Sequence, residues 1–271
     1  MDTPIVRPAA VAGKFYPLDP KKLLASIHAY VGPEARREAA LGCVVPHAGY
    51  IYSGHVAGAV YARLEVGRRC IVLCPNHTGR GTPLSIMTRG SWQTPLGNAE
   101  IDSELADSLM RVYPVLMNDS AAHRAEHAIE VQLPFLQTLR AGIRFVPIAI
   151  GTRQFEVLEG LGFAIGEVLA AIDESVLVVA SSDMNHYESD PVTRLKDEKA
   201  IERILSLDPR GLYDVVTNED ISMCGFGPTV AMLAAALRQG ATRAELVKYA
   251  TSGDVSGDRQ MVVGYAGIVV R

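Results

Sequence analysis

Short, unbroken apolar runs rich in Val and Ile recur along this chain, at residues 42–45, 70–73, 143–150, 176–180 and 261–270. A strand with one face in water alternates apolar and polar positions. A run that is apolar at every position predicts a strand buried on both faces. Between these runs the apolar spacing shifts to the helical period, which predicts helices over 52–64, 102–112, 126–139, 155–172, 193–207 and 228–238. Asp102 stands as N-cap of the second helix, with Ser103 and Glu104 in its first turn. Pro134 is expected to kink or end the third. Residues 84–97 read as a hairpin or long loop, with Pro95 and Gly97 as breakers. Residues 246–249 and 261–270 predict an antiparallel pair across a loop rich in Gly and Asp. Strands alternating with helices predict an α/β sandwich: a central, mainly parallel or mixed sheet flanked by helices. No linker, repeat or shift in composition divides the chain, so residues 1–271 are expected to form a single domain.

The polar residues at the strand ends carry the chemistry. Val44-Val45 runs into Pro46-His47-Ala48-Gly49-Tyr50, Ile71-Val72-Leu73 into Cys74-Pro75-Asn76-His77, and Leu177-Val178-Val179 into Ser181-Ser182-Asp183-Met184-Asn185-His186. Ligands of open α/β sheets bind beyond the carboxyl ends of the strands. Three histidines and an aspartate are thus delivered to one edge, and they converge if the strands are neighbours. A single histidine after a strand is more often a turn residue. Three of the chain's seven in the same context point to a metal site, because neutral imidazole is the commonest metal ligand.

Composition narrows the function classes. The chain carries 26 basic and 30 acidic residues, a net charge of −4, with no basic block, which excludes a general nucleic-acid binder. No apolar run reaches the roughly 18 residues of a membrane-spanning helix. The start, Met1-Asp2-Thr3-Pro4, lacks a signal-peptide pattern, so a cytoplasmic protein is expected. Cys43, Cys70 and Cys74 sit in apolar runs and read as buried strand residues. Cys224 differs. It stands in Ser222-Met223-Cys224-Gly225-Phe226-Gly227-Pro228, just before an Ala-rich helix whose N-terminus stabilises a thiolate. Ligand or nucleophile and small apolar filler both fit that context. His123-Arg124-Ala125-Glu126-His127 spells a zinc-protease pattern, H-x-x-E-H, yet lacks an evident third ligand. A supporting role fits it better: Glu126, His127 or Glu130 hydrogen-bonding a ligand imidazole and fixing its tautomer.

At this point the blocks resemble a known family. Arg7-Pro8-Ala9-Ala10-Val11-Ala12-Gly13-Lys14-Phe15-Tyr16-Pro17 looks like the opening motif of the Memo family, whose bacterial and archaeal members are called AmmeMemoRadiSam system protein B. Pro46 to Gly54, Pro75-Asn76-His77, Thr94-Pro95-Leu96-Gly97, Glu126 to Leu136, Ser181 to His186 and Cys224-Gly225 follow in family order. The resemblance implies a fold similar to LigB-type class III extradiol dioxygenases, which hold Fe(II) with two His and one Glu. It implies a two-His-one-Cys metal site in which His47, His77 and Cys224 are the ligands. Asp183 and His186 would line the pocket, His186 as acid/base, with Tyr50, Cys74, His127 and Glu130 around them. Cys74 departs from the Gly common at its position in the family.

A thiolate in place of a carboxylate makes such a site softer. Iron or copper is expected, with zinc as the alternative. The expected function is a metal-dependent oxidoreductase acting on a small-molecule substrate. The alternatives are a non-enzymatic metal- or peptide-binding protein and a metal-dependent hydrolase. No nucleic-acid or membrane partner is expected.

Overall fold

The computed structural model describes residues 5–32 and 37–271. The opening residues Met1 to Pro4, on which the absence of a signal peptide was read, lie outside them. In chain order the elements begin β1 (Val6–Arg7), α1 (Pro20–Val31), β2 (Gly42–Val45), α2 (Tyr50–Tyr61), β3 (Arg69–Pro75) and β4 (Leu84–Ile86). Then come β5 (Ser91–Thr94), β6 (Gly97–Ile101), α3 (Ser103–Val112), β7 (Met117–Asn118), α4 (Leu133–Leu139), β8 (Arg144–Ile150) and α5 (Phe155–Ala170). The chain closes with β9 (Val176–Ser181), β10 (His186–Glu188), α6 (Asp190–Leu205), α7 (Pro209–Asn218), α8 (Phe226–Arg238), β11 (Ala244–Thr251), α9 (Gly253–Ser256) and β12 (Val262–Val270).

The expected architecture is present. Strands β8, β3, β9 and β2 lie side by side in that order, all parallel. β12 joins β2 antiparallel and also pairs with β10 and β11, so the sheet is mixed, with its antiparallel part at the edges. Successive side chains of a strand point to opposite faces. In β3, Ile71 and Leu73 pack with α3, α5 and α8, whereas Cys70, Val72 and Cys74 pack with α1, α2 and α4. Both faces are therefore covered, which is why these strands are apolar throughout. Cys43, Cys70 and Cys74 are free, buried and on the same face. No described helix is long and apolar enough to cross a membrane.

Local signals hold at several helix starts. Asp102 caps α3 by accepting the Leu105 N–H at 3.1 Å. Two helices outside the periodicity reading, α1 and α7, open the same way. Asp19 and Asp208 accept from Lys22 and Gly211, each followed by a proline at the first helical position. Proline fits there because its missing N–H would have no partner. The same physics corrects the helix expected over 126–139. Pro134 stands in the first turn of α4 instead of ending a longer helix, and residues 126–132 are not helical, with turns over 128–132. The hairpin expected within 84–97 is β5–β6, turning on Pro95-Leu96, while residues 84–86 pair separately with β8.

Candidate metal centre

Because β3, β9 and β2 are adjacent and parallel, the residues that follow them meet beyond one edge of the sheet. His47, His77, Asp183, His186 and Cys224 all line one cavity of about 640 Å³. His127 and Phe15 form part of its wall. The candidate ligand atoms of His47, His77 and Cys224 lie within 4.8 Å of one another. Donors bound at about 2.0–2.3 Å in a tetrahedral set stand roughly 3.3–3.8 Å apart, so a small closure brings these three onto one ion.

The tautomer of each imidazole follows from its neighbours. Tyr61 Oη donates to Gln132 Oε1, which leaves Gln132 Nε2 as the donor to Pro46 O and to Ser181 Oγ, both at 2.9 Å. Ser181 Oγ donates to the Ala128 carbonyl at 2.7 Å. Its remaining capacity is to accept, so His47 Nδ1, 3.0 Å away, carries a proton. His47 Nε2 keeps its lone pair and faces Cys224 Sγ at 3.2 Å. The Asp183 carbonyl is also 3.6 Å from Sγ, so the single thiol proton has two acceptors within reach, and a cation can take its place.

His77 is fixed by a buried carboxylate. Glu126 accepts His77 Nδ1 at 2.9 Å, the His77 N–H at 2.7 Å and the Ala128 N–H at 3.0 Å. Burial alone would raise the Glu126 carboxyl, but the His77 hydrogen bond and charge outweigh it and hold it down at about 2. Burial would lower His77, and the same contact raises it instead. His47, fully enclosed and beside two other imidazoles, is pushed well down by burial and by His127 and His77. His77 therefore presents Nε2 to the cavity with its other nitrogen locked, the outer-sphere pattern common to metal-bound histidines.

Cys224 reaches the site from the turn before α8. Gly225 permits this, because a Cβ there would overlap Ser182 and the Ser181 carbonyl. The thiolate expected from a helix N-terminus is not favoured without a metal: burial, then the Asp183 carboxylate, push the thiol up. Asp183 Oδ1 accepts the His47 N–H at 2.7 Å, and its Oδ2 lies 4.0 Å from His47 Nε2. Burial raises this carboxyl. His186 donates Nδ1–H to the Ser222 carbonyl at 2.9 Å, because a carbonyl can only accept. In the neutral ring that tautomer puts the lone pair on Nε2. The next residue, Tyr187, adopts φ 59°, a left-handed backbone uncommon for an aromatic side chain, and also lines the cavity.

The remaining expected residues divide between the cavity wall and the core. His127 stacks on His77, with ring centroids 4.8 Å apart, and lines the cavity. Glu130 does not. It turns away to Arg7, Tyr16 and the Ala10 and Val11 N–H groups. Tyr50 is buried with its hydroxyl on the Val131 carbonyl, and Cys74 packs in the core beneath the site. His123 lies apart against Trp92, so the H-x-x-E-H spelling does not form a helical zinc pair. Glu126, weighed beside His127 and Glu130, is the residue that grips His77, a candidate ligand. Gln132 and Ser181, which orient His47, carry no local sequence signal of that role.

Comparison with known proteins agrees with the motif series. The family model described as Memo-like protein matches residues 7–269. The chain is 46% identical over 279 residues to a MEMO1 family protein of Methanopyrus kandleri, covering 98% of this chain and 99% of that one. It is 45% identical over 267 residues to a MEMO1 family protein of Methanosarcina barkeri, covering 98% and 100%. It shares its fold with the crystal structure of an uncharacterized protein from Escherichia coli K12. The TM-score is 0.58 at 16% identity, over 84% of this chain and 98% of that one.

Proposed function

This chain belongs to the Memo family, and from that premise we propose that it is a metal-dependent oxidoreductase acting on a small molecule in the His47–His77–Cys224 cavity. The observation that carries the reading is the half-paired state of the imidazoles. His77 and His186 each have one nitrogen held by a neighbour and the other left toward the cavity, while His47, held at Nδ1 by Ser181, turns Nε2 to the Cys224 thiol, itself a candidate ligand.

His47, His77 and Cys224 would hold the metal, and one thiolate with two imidazoles suits iron, copper or zinc over magnesium or calcium. When bound, iron or copper supplies redox chemistry, and any of the three supplies Lewis acidity. The protein does the rest. Ser181 and Glu126 orient the two imidazoles. Asp183 ties the His47 backbone and offers its second oxygen to the cavity. His186 takes a proton from a substrate hydroxyl at Nε2, because Ser222 holds its other nitrogen. The cavity, about 640 Å³ with aromatic wall residues Phe15, Tyr187 and Tyr265, is large enough for a small organic substrate.

The test is metal content and oxygen uptake on protein purified without air. Stoichiometric iron or copper, with reductant- or substrate-dependent O₂ uptake lost in His47→Ala, supports the reading. Zinc, or no metal, with no uptake moves the assignment to a hydrolase or a binding protein.

A further inference from the structure

Residues 120–132 carry Glu126 and His127 past the site as turns, so their backbone carbonyls have few partners within the segment. Side chains from distant parts of the chain supply them. Arg7 Nε donates to His123 O and Arg7 Nη2 to Glu126 O, both at 2.6 Å. Ser181 Oγ donates to Ala128 O and Tyr50 Oη to Val131 O, both at 2.7 Å. The third arm of Arg7, Nη1, meets Glu130 Oε2 at 2.7 Å. The guanidinium is buried and lies over the Trp92 ring, 4.0 Å from its centroid. Glu130 in turn accepts the Ala10 and Val11 N–H groups and the Tyr16 hydroxyl, which binds the N-terminal segment to this loop.

We propose that Arg7 and Glu130 form a positioning pair that holds Glu126 against His77 and so sets how tightly His77 binds a metal; this rests on reading His77 as a ligand. Two buried carboxylates lie four residues apart on one loop. Arg7 neutralises Glu130, so of the two carboxylates on this loop only Glu126 aims its negative charge at His77. The same guanidinium fixes the Glu126 carbonyl, and with it the point from which the carboxylate reaches both His77 N and Nδ1. Those two bonds weaken steeply if the backbone slides by about an ångström. Arginine suits the task because its planar fork donates in three directions at once, which a lysine ammonium cannot reproduce. Neither Arg7 nor Glu130 lines the cavity, so any effect on metal binding passes through the loop.

The test compares Arg7→Lys with Arg69→Lys, a buried arginine at the other end of the sheet. Glu130→Gln is the second variant should Arg7→Lys not fold. Zinc affinity is measured by chelator competition. The His77 Nδ1–H is observed by imidazole NMR of the metal-free protein. We expect R7K to bind zinc about 10–100-fold more weakly and to lose the protected His77 proton signal, whereas R69K is destabilised yet keeps both. The proposal is overturned if R7K and E130Q retain wild-type affinity and the His77 signal. It is equally overturned if R69K loses affinity as much as R7K, since the effect is then general destabilisation. Wild-type protein that binds no zinc, iron or copper sinks the metal reading and this inference together, and the wild-type titration alone tells that case apart.

Discussion

The two ends of the parallel strands treat buried charge in opposite ways. At the amino end Arg69 reaches both oxygens of Asp102, at 2.6 and 2.9 Å, and Glu174 at 3.0 Å. Asp102 also caps α3. Arg69, Asp102 and Glu174 there answer one another. At the carboxyl end His77 and His186 are each answered at one nitrogen only, and His47, held by Ser181, turns its other nitrogen to the Cys224 thiol inside the cavity. The same four strands support both ends, so the sheet itself does not separate stability from chemistry. What separates them is whether hydrogen-bonding capacity is closed within the protein or left open to a ligand.

The sharpest way to test this contrast is to remove an open group. His47→Ala and His77→Ala are expected to abolish stoichiometric metal binding while circular dichroism and the urea midpoint change little, since no strand core is touched. If either variant still binds one metal per chain, the ligand assignment fails. Removing a closed group should do the reverse. Asp102→Ala leaves Arg69 buried with its main partner gone, and breaking such a pair costs about 3–5 kcal/mol. Urea denaturation should read that loss, with zinc affinity unchanged; a loss of affinity would break the comparison.

Asp197 is the intermediate case, a buried carboxylate answered by the Tyr249 hydroxyl at 2.6 Å and the Asn185 N–H at 2.8 Å but by no direct cation. Burial raises it to about 7, despite the opposing hydrogen bonds. Its value in the unfolded chain is about 3.9. A carboxyl raised on folding favours the folded state fully below about pH 4, and that contribution is lost as pH rises through about 7. Thermal stability from this group should therefore fall between pH 4 and pH 8. Asp197→Asn should flatten that part of the profile, and an unchanged slope would refute the assignment.

Much of the fold was legible because its signals are local. Runs such as Val176 to Ala180 can bury both faces only inside a covered sheet. The convergence of His47, His77 and Asp183 followed from polar residues placed just past three such runs. The failures are non-local. The helical spacing over 126–139 was genuine, but Arg7, Ser181 and Tyr50 capture carbonyls across residues 123–131 and hold that part in turns. Partners more than 50 residues away leave no trace in local periodicity. For the same reason the sequence suggested that an acidic residue near His127 would hold a ligand imidazole but could not choose between Glu126 and Glu130. The helices α1 and α7 were readable from Asp19-Pro20 and Asp208-Pro209, a capping signal that periodicity does not weigh.

His47 and Cys224 stand 3.2 Å apart in space and 177 positions apart in the chain. Order in time follows from that separation. During synthesis both imidazoles emerge well before this thiol, and closing a contact this remote in sequence is intrinsically slow. Cys43, Cys70 and Cys74 emerge earlier but end up buried in the sheet, so the one thiol that lines the cavity is the last of the three candidate ligands to appear. Any selectivity that a thiolate adds would therefore belong to the finished molecule, exercised only once the last candidate ligand has been delivered.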